Sequence, residues 1–255
     1  MPVLHKWTSR NASLPGDYIP ESEIKEWSGI LIDKETLKRW CTPPTKADPY
    51  LRPFVVRGPL STGGAAIVGV NPATPIFEDD GIAIEDYAQS ILNLDQFLPL
   101  YQDVRRRSGK TRLSSPTRTG LDGASSWLAS LGHTTVLDTN TSPYPTSSEK
   151  EWRRLPESHK ALHVFREVLE LFRPSLILLH GKPSYEAFIG EFAPHLRRTG
   201  NFTSVVRDHA NLGIVPWEFG GYADVYVCSH LRFFGKEGLG KRFHPLRKAV
   251  LASRR

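Results

Sequence analysis

Residues 65–75 read Ala-Ala-Ile-Val-Gly-Val-Asn-Pro-Ala-Thr-Pro. The first six form a short continuous apolar run, the pattern of a strand buried on both faces, and Asn71-Pro72 ends it. Comparable runs occupy 134–139 (TTVLDT), 175–180 (SLILLH) and 223–229 (ADVYVCS). Helical signals lie between them. Residues 123–131 form a compact apolar helix, and Ser148 with Glu151 makes a capping box ahead of Trp152. Leu162, Phe165, Leu169 and Phe172 recur at helical spacing before Pro174, and Pro183 opens another helix. Strands alternating with helices predict an α/β protein with three layers, α/β/α, around a mostly parallel four-stranded sheet.

The composition agrees with a globular chain. Its 255 residues are 39% hydrophobic and 24% charged, with 20 Gly and 20 Pro, which excludes a disordered chain, a collagen-like repeat and a coiled coil. Residues 1–60 are punctuated by eight prolines and predict an extension packed on a core domain at 61–255. Two cysteines, Cys41 and Cys228, are too few for a disulfide scaffold or a four-thiolate cluster. No run resembles a signal peptide or a membrane span, so a cytoplasmic protein with no membrane partner is expected. A monomer is expected.

Net charge is +6, unevenly spread. Residues 103–118 hold six basic residues and one acid, and 230–255 hold eight and one, which leaves the remaining 213 at −6. An acidic body with two basic stretches points to a polyanion.

In a mostly parallel sheet, ligands bind beyond the carboxyl ends of the strands. The residues found there are Asn71 after the first run, Asn140 after the second, His180 closing the third and His230 after the fourth. Side-chain amides and imidazoles therefore gather where a site is expected.

These segments resemble the motifs of the uracil-DNA glycosylase superfamily. GVNPATP (69–75) is similar to its first motif in the branches that carry Asn, and LDTNTSPYP (137–145) to the strand whose terminal Asn reads the flipped base. PSLILLHGKPSYEAF (174–188) resembles the next strand and helix, and VYVCSHLRFF (225–234) the last motif, with its His before a minor-groove loop. The chain departs from the family where His230 is followed by Leu-Arg-Phe instead of Pro-Ser, and where Ala73 replaces a Gly. It also lacks the four cysteines of the iron–sulfur members.

The resemblance implies a monofunctional DNA glycosylase that cleaves the N-glycosidic bond of uracil or another damaged or modified base, leaving an abasic site. No cofactor or metal is expected. Asn71 would position water, and His230 would stabilise the departing base, where developing charge rewards aimed donors. Asn140 would read the base edge, with Phe77 and Tyr144 as stacking faces and Asp138 in support. Glu78, Asp79 and Asp80 remain alternative water activators. DNA would be held by Arg232, Lys236, Lys241 and Arg242, by Arg105, Arg106, Arg107, Lys110 and Arg112, and by Lys182. Leu231 and Phe233 would supply the apolar wedge. Two alternatives stay open: a binding protein on this scaffold without chemistry, and a glycosylase for hypermodified phage bases acting in defence.

Overall fold

The computed structural model describes residues 30, 32–234 and 241–253. Six strands form one mixed sheet: β1 (Phe54–Arg57), β2 (Ala65–Gly69), β3 (Val136–Asn140), β4 (Leu176–His180), β5 (Asn211–Pro216) and β6 (Tyr222–Cys228), in the order β1-β3-β2-β4-β6-β5. The four inner strands are parallel and are the apolar runs read from the sequence. The two outer strands pair antiparallel, which corrects the expected four strands to six.

Both outer strands escape the apolar-run signal for physical reasons. β1 is four residues between Pro53 and Gly58, inside the proline-punctuated region that reads as an extension. β5 carries a register shift at Asn211/Gly213, ends in Pro216 and is partly exposed, so it has neither length nor alternation.

Inner-strand side chains alternate between two cores, as the pleat requires. Ala65, Ile67, Leu176, Leu178, Tyr226 and Cys228 pack with helices α4 (Pro116–Ser130) and α10 (His244–Ala252). Ala66, Val68, Ile177, Leu179, Val225 and Val227 face the larger core. That second core takes in α1 (Lys34–Cys41), α2 (Ile84–Ser90), α3 (Leu94–Arg107), α7 (Leu162–Phe172), α8 (Lys182–Glu191) and α9 (Phe202–Asp208). Two single turns, α5 (Glu149–Trp152) and α6 (Glu157–Lys160), link β3 to α7, and Ala161, at φ +48°, separates α6 from α7. Ser148 caps α5 through Glu151 N, but the Glu151 carboxylate turns to Ser147 instead of closing the box. Among the described residues, no helix is long and apolar enough to cross a membrane.

The order of the inner strands creates the site. From β2 the chain goes to one side, to β3, and later to the other, to β4, so the sheet opens a crevice beyond the ends of β2 and β4.

Candidate active site

A cleft of about 570 Å³ occupies that crevice. The residues following all four inner strands line it, including Asn71, Asn140, His180 and His230. The loops after β2 and β3 are zipped together by backbone bonds, Thr141 N to Gly69 O and Ser142 N to Val70 O, both 2.9 Å. This holds both asparagines in the crevice wall, Asn140 beside Gly69 and Asn71 two residues farther along.

Asn71 is oriented. Its Nδ2 donates to Thr146 Oγ1 at 2.6 Å and to Pro72 O at 3.2 Å. Thr146 Oγ1 spends its own proton on Ser148 O, so it accepts from Asn71, and Nδ2 is the amide end that faces it. Oδ1 has no hydrogen-bond partner among the described residues and is left for a ligand or water.

His230 is likewise fixed. Its Nδ1 accepts from Arg232 N at 3.1 Å, which places the proton of the neutral ring on Nε2 as a donor. Burial and the neighbouring Arg232 charge hold its pKa below the usual histidine range, so the ring is neutral at physiological pH. His180 closes β4, is 8% exposed, and its Nδ1 has no partner. Burial, with His230 beside it, pushes its pKa down to about 3.

Gly69 makes this crowding possible. A Cβ there would collide with Asn140 Oδ1 and stand 3.0 Å from His180 Nε2, so both polar ends converge over a bare Cα. On the opposite side, α4 lies directly on the last motif at Gly120, where a Cβ would run into the Leu231 carbonyl.

Cations dominate the walls. Arg52, Arg118, Lys182, Arg232 and Arg242 line the cleft against Asp138 and Glu149. The guanidinium groups of Arg52, Arg105 and Arg118 all lie within 6.0 Å of the Tyr101 ring centroid. Arg52, 4% exposed, clamps the first motif by donating to Ala73 O at 2.9 Å and Thr74 O at 2.7 Å, and Thr74 takes φ +63° in this grip.

Other expected site residues are placed differently. Asp138 shares the strand face of Asn140 and lines the cleft, but its Oδ2 binds Arg118 at 2.5 Å and Arg57 at 3.1 Å. It is the counter-charge of buried Arg118 and part-buried Arg57. Phe77 stands 38% exposed and does not line the cleft, and neither does Tyr144, whose hydroxyl donates to Asp48 Oδ1 at 2.6 Å. Tyr101, Phe202 and Phe233 are the aromatic rings that do. Glu78, Asp79 and Asp80 form a 3-10 turn outside the cleft.

Leu231 is fully buried under α4, so a packing role replaces the expected wedge, whereas Phe233 reaches the cleft lip between Arg232 and Arg242. Arg106 and Arg107 are spent on Asp103, Arg107 also on Asp80, and Arg105 on Arg112 O. Lys110 and Arg112 are exposed, and Lys182 pairs with Glu186 at 3.5 Å. Lys236, and the side chain of Lys241, lie outside the described residues.

Compared with known proteins, the chain matches no protein-family model and no curated protein sequence. The site is therefore read on its own chemistry.

Sequence reasoning missed Thr146, Glu149, Arg52 and Arg118 as cleft residues. Glu149 was within reach: with Ser148 as cap it is the first residue of α5, at the cleft wall, where Arg153 holds it at 2.7 Å. The other three act across long stretches of chain and carry no local mark. Among the described residues, no group of three or more His, Cys, Asp or Glu is arranged to hold a metal ion.

Proposed function

We propose that this protein is a DNA glycosylase that hydrolyses the N-glycosidic bond of a base turned out of the helix, uracil or another damaged or modified base, and leaves an abasic site. One observation carries the reading. The cleft combines an unoccupied acceptor, Asn71 Oδ1, with a neutral imidazole whose Nε2 is a committed donor, His230.

Glycosidic cleavage needs both functions. Positive charge builds on the sugar as negative charge builds on the departing base. Asn71 Oδ1 would hold a water toward the anomeric carbon, acting by position, since an amide is a weak base. His230 Nε2–H would donate a hydrogen bond to a base oxygen as the anion forms, keeping its own proton, and the proton that the attacking water loses would pass through solvent to the departed base anion. The cationic walls would lower the energy of that anion further and attract the phosphodiester backbone. Asn140, with no side-chain hydrogen bond among the described residues, offers donors and an acceptor to the base edge.

The test is release of free base from DNA carrying uracil, hypoxanthine, xanthine, oxidised pyrimidines or modified cytosines, read by mass spectrometry. Release that disappears in Asn71→Ala and His230→Ala supports the reading. No release from any of these substrates defeats it.

A further inference from the structure

The two basic stretches differ in one physical respect. The guanidinium groups of the 105–107 run are engaged by Asp103, Asp80 and backbone carbonyls. In the C-terminal stretch, Arg232, Arg242, Arg247 and Lys248 have no acidic partner among the described residues. Arg242 and Arg232 lie over the Phe233 ring at 4.2 and 4.6 Å at the cleft lip, and neither has an ion pair among the described residues. Helix α10 begins two residues after Arg242 and contains no acidic residue. Its inner side, Leu246 and Val250, is buried in the core, while Arg247 and Lys248 have no acidic partner among the described residues. Together with His244 and Leu251 they line a shallow groove of about 420 Å³.

We infer that the outer face of α10 is a binding track for the phosphodiester backbone of a DNA strand that leaves the cleft past Phe233. Arg247 and Lys248, about 100° apart around the helix, are both exposed and flank the His244–Leu251 row of the groove, while Leu246 and Val250 are buried. Two open cations at this place, continuing from a lip where an aromatic ring lies beneath two guanidinium planes, match a strand whose phosphates need neutralising and whose bases stack on flat faces. The α3 patch, already neutralised, contributes little. The inference rests on DNA being the substrate, as proposed above, but places the strand on a face that the chemistry of the cleft does not require.

The experiment is equilibrium binding of a fluorescein-labelled single-stranded oligonucleotide across a salt series, for the wild-type chain, the Arg247→Ala/Lys248→Ala double variant and the Arg106→Ala/Arg107→Ala double variant. Loss of two phosphate contacts lowers the slope of log affinity against log salt by about 1.4. Between about 50 and about 200 mM salt, the α10 variant then loses about sevenfold less affinity than the wild type. The α3 variant keeps the wild-type slope. Equal slopes for all three proteins, a larger effect from the α3 pair, or no binding by the wild type would overturn the inference. Because binding is measured without base release, slope loss in a protein that releases no base sustains the track and defeats the glycosylase reading. Base release with an unchanged slope does the reverse.

Discussion

The imidazole rings of His180 and His230 stand almost perpendicular, at 83°, with centroids 5.1 Å apart. One closes β4 and the other follows β6, so the pairing of these parallel strands sets the contact. Burial disfavours a proton on both rings; on His180 the neighbouring His230 acts in the same direction, and on His230 the Arg232 charge does.

This arrangement predicts a pH dependence. His180 has a folded pKa of about 3 against an ordinary value of 6.5, so the unfolded chain binds the extra proton. Stability from this group is complete above pH 6.5 and is lost as pH falls toward 3, at up to about 1.4 kcal/mol per pH unit. Denaturant midpoints measured from pH 7 to 4 should fall less steeply in His180→Leu than in the wild type. Parallel curves would show that the ring titrates normally.

Asn71 and Thr146 should separate chemistry from positioning. Asn71→Ala is expected to lower the rate of base release by about 10²–10⁴-fold, as for loss of a group that manages the attacking water. Thr146→Val, which frees the amide to rotate, costs on the order of 10²-fold or less in kcat. Thr146→Ser should restore most of it, since the hydroxyl is what matters. An inert Thr146→Val would remove the orienting role.

Gly69→Ala tests the converging side chains. The atoms nearest to the added methyl are side-chain atoms of Asn140 and His180 and not backbone, so the thermal midpoint should hardly move while base release falls by about 10²-fold. A variant that unfolds instead would place the constraint in the strand itself.

Asp138→Ala leaves buried Arg118 and part-buried Arg57 without their shared carboxylate, although Asp122 still meets Arg57 at 2.5 Å. A loss of about 3 kcal/mol in urea unfolding is expected. Full stability with abolished base release would instead make Asp138 the water activator.

The inner strands and the four polar residues at their ends were readable because each signal is local: an apolar run, then Asn or His within a few positions. The edge strands were not, since β1 owes its existence to pairing with β3 across about eighty residues of chain. The arginine patches misled in part. Asp103 lies four residues before Arg107, a spacing that predicts an ion pair, but the approach of Asp80 depends on how α3 packs. Leu231 looked like a wedge because it follows His230, and burial of the 231–233 turn against Gly120 places it inside.

Order along the chain determined by itself that four buried strands would alternate with helices, and that amides and imidazoles would stand at their carboxyl ends. Only the tertiary structure decided what those groups can do. Asn71 points its oxygen outward because Thr146, 75 residues away, takes its NH₂, and the His230 tautomer follows from how its loop turns back on Arg232 N. For the same reason Arg106 and Arg107 of α3 are paired, while Arg247 and Lys248 of α10 have no acidic partner among the described residues. Hydrogen bonds and ion pairs depend on distances of about 3 Å in space, and sequence spacing sets such distances only within a single helix or strand.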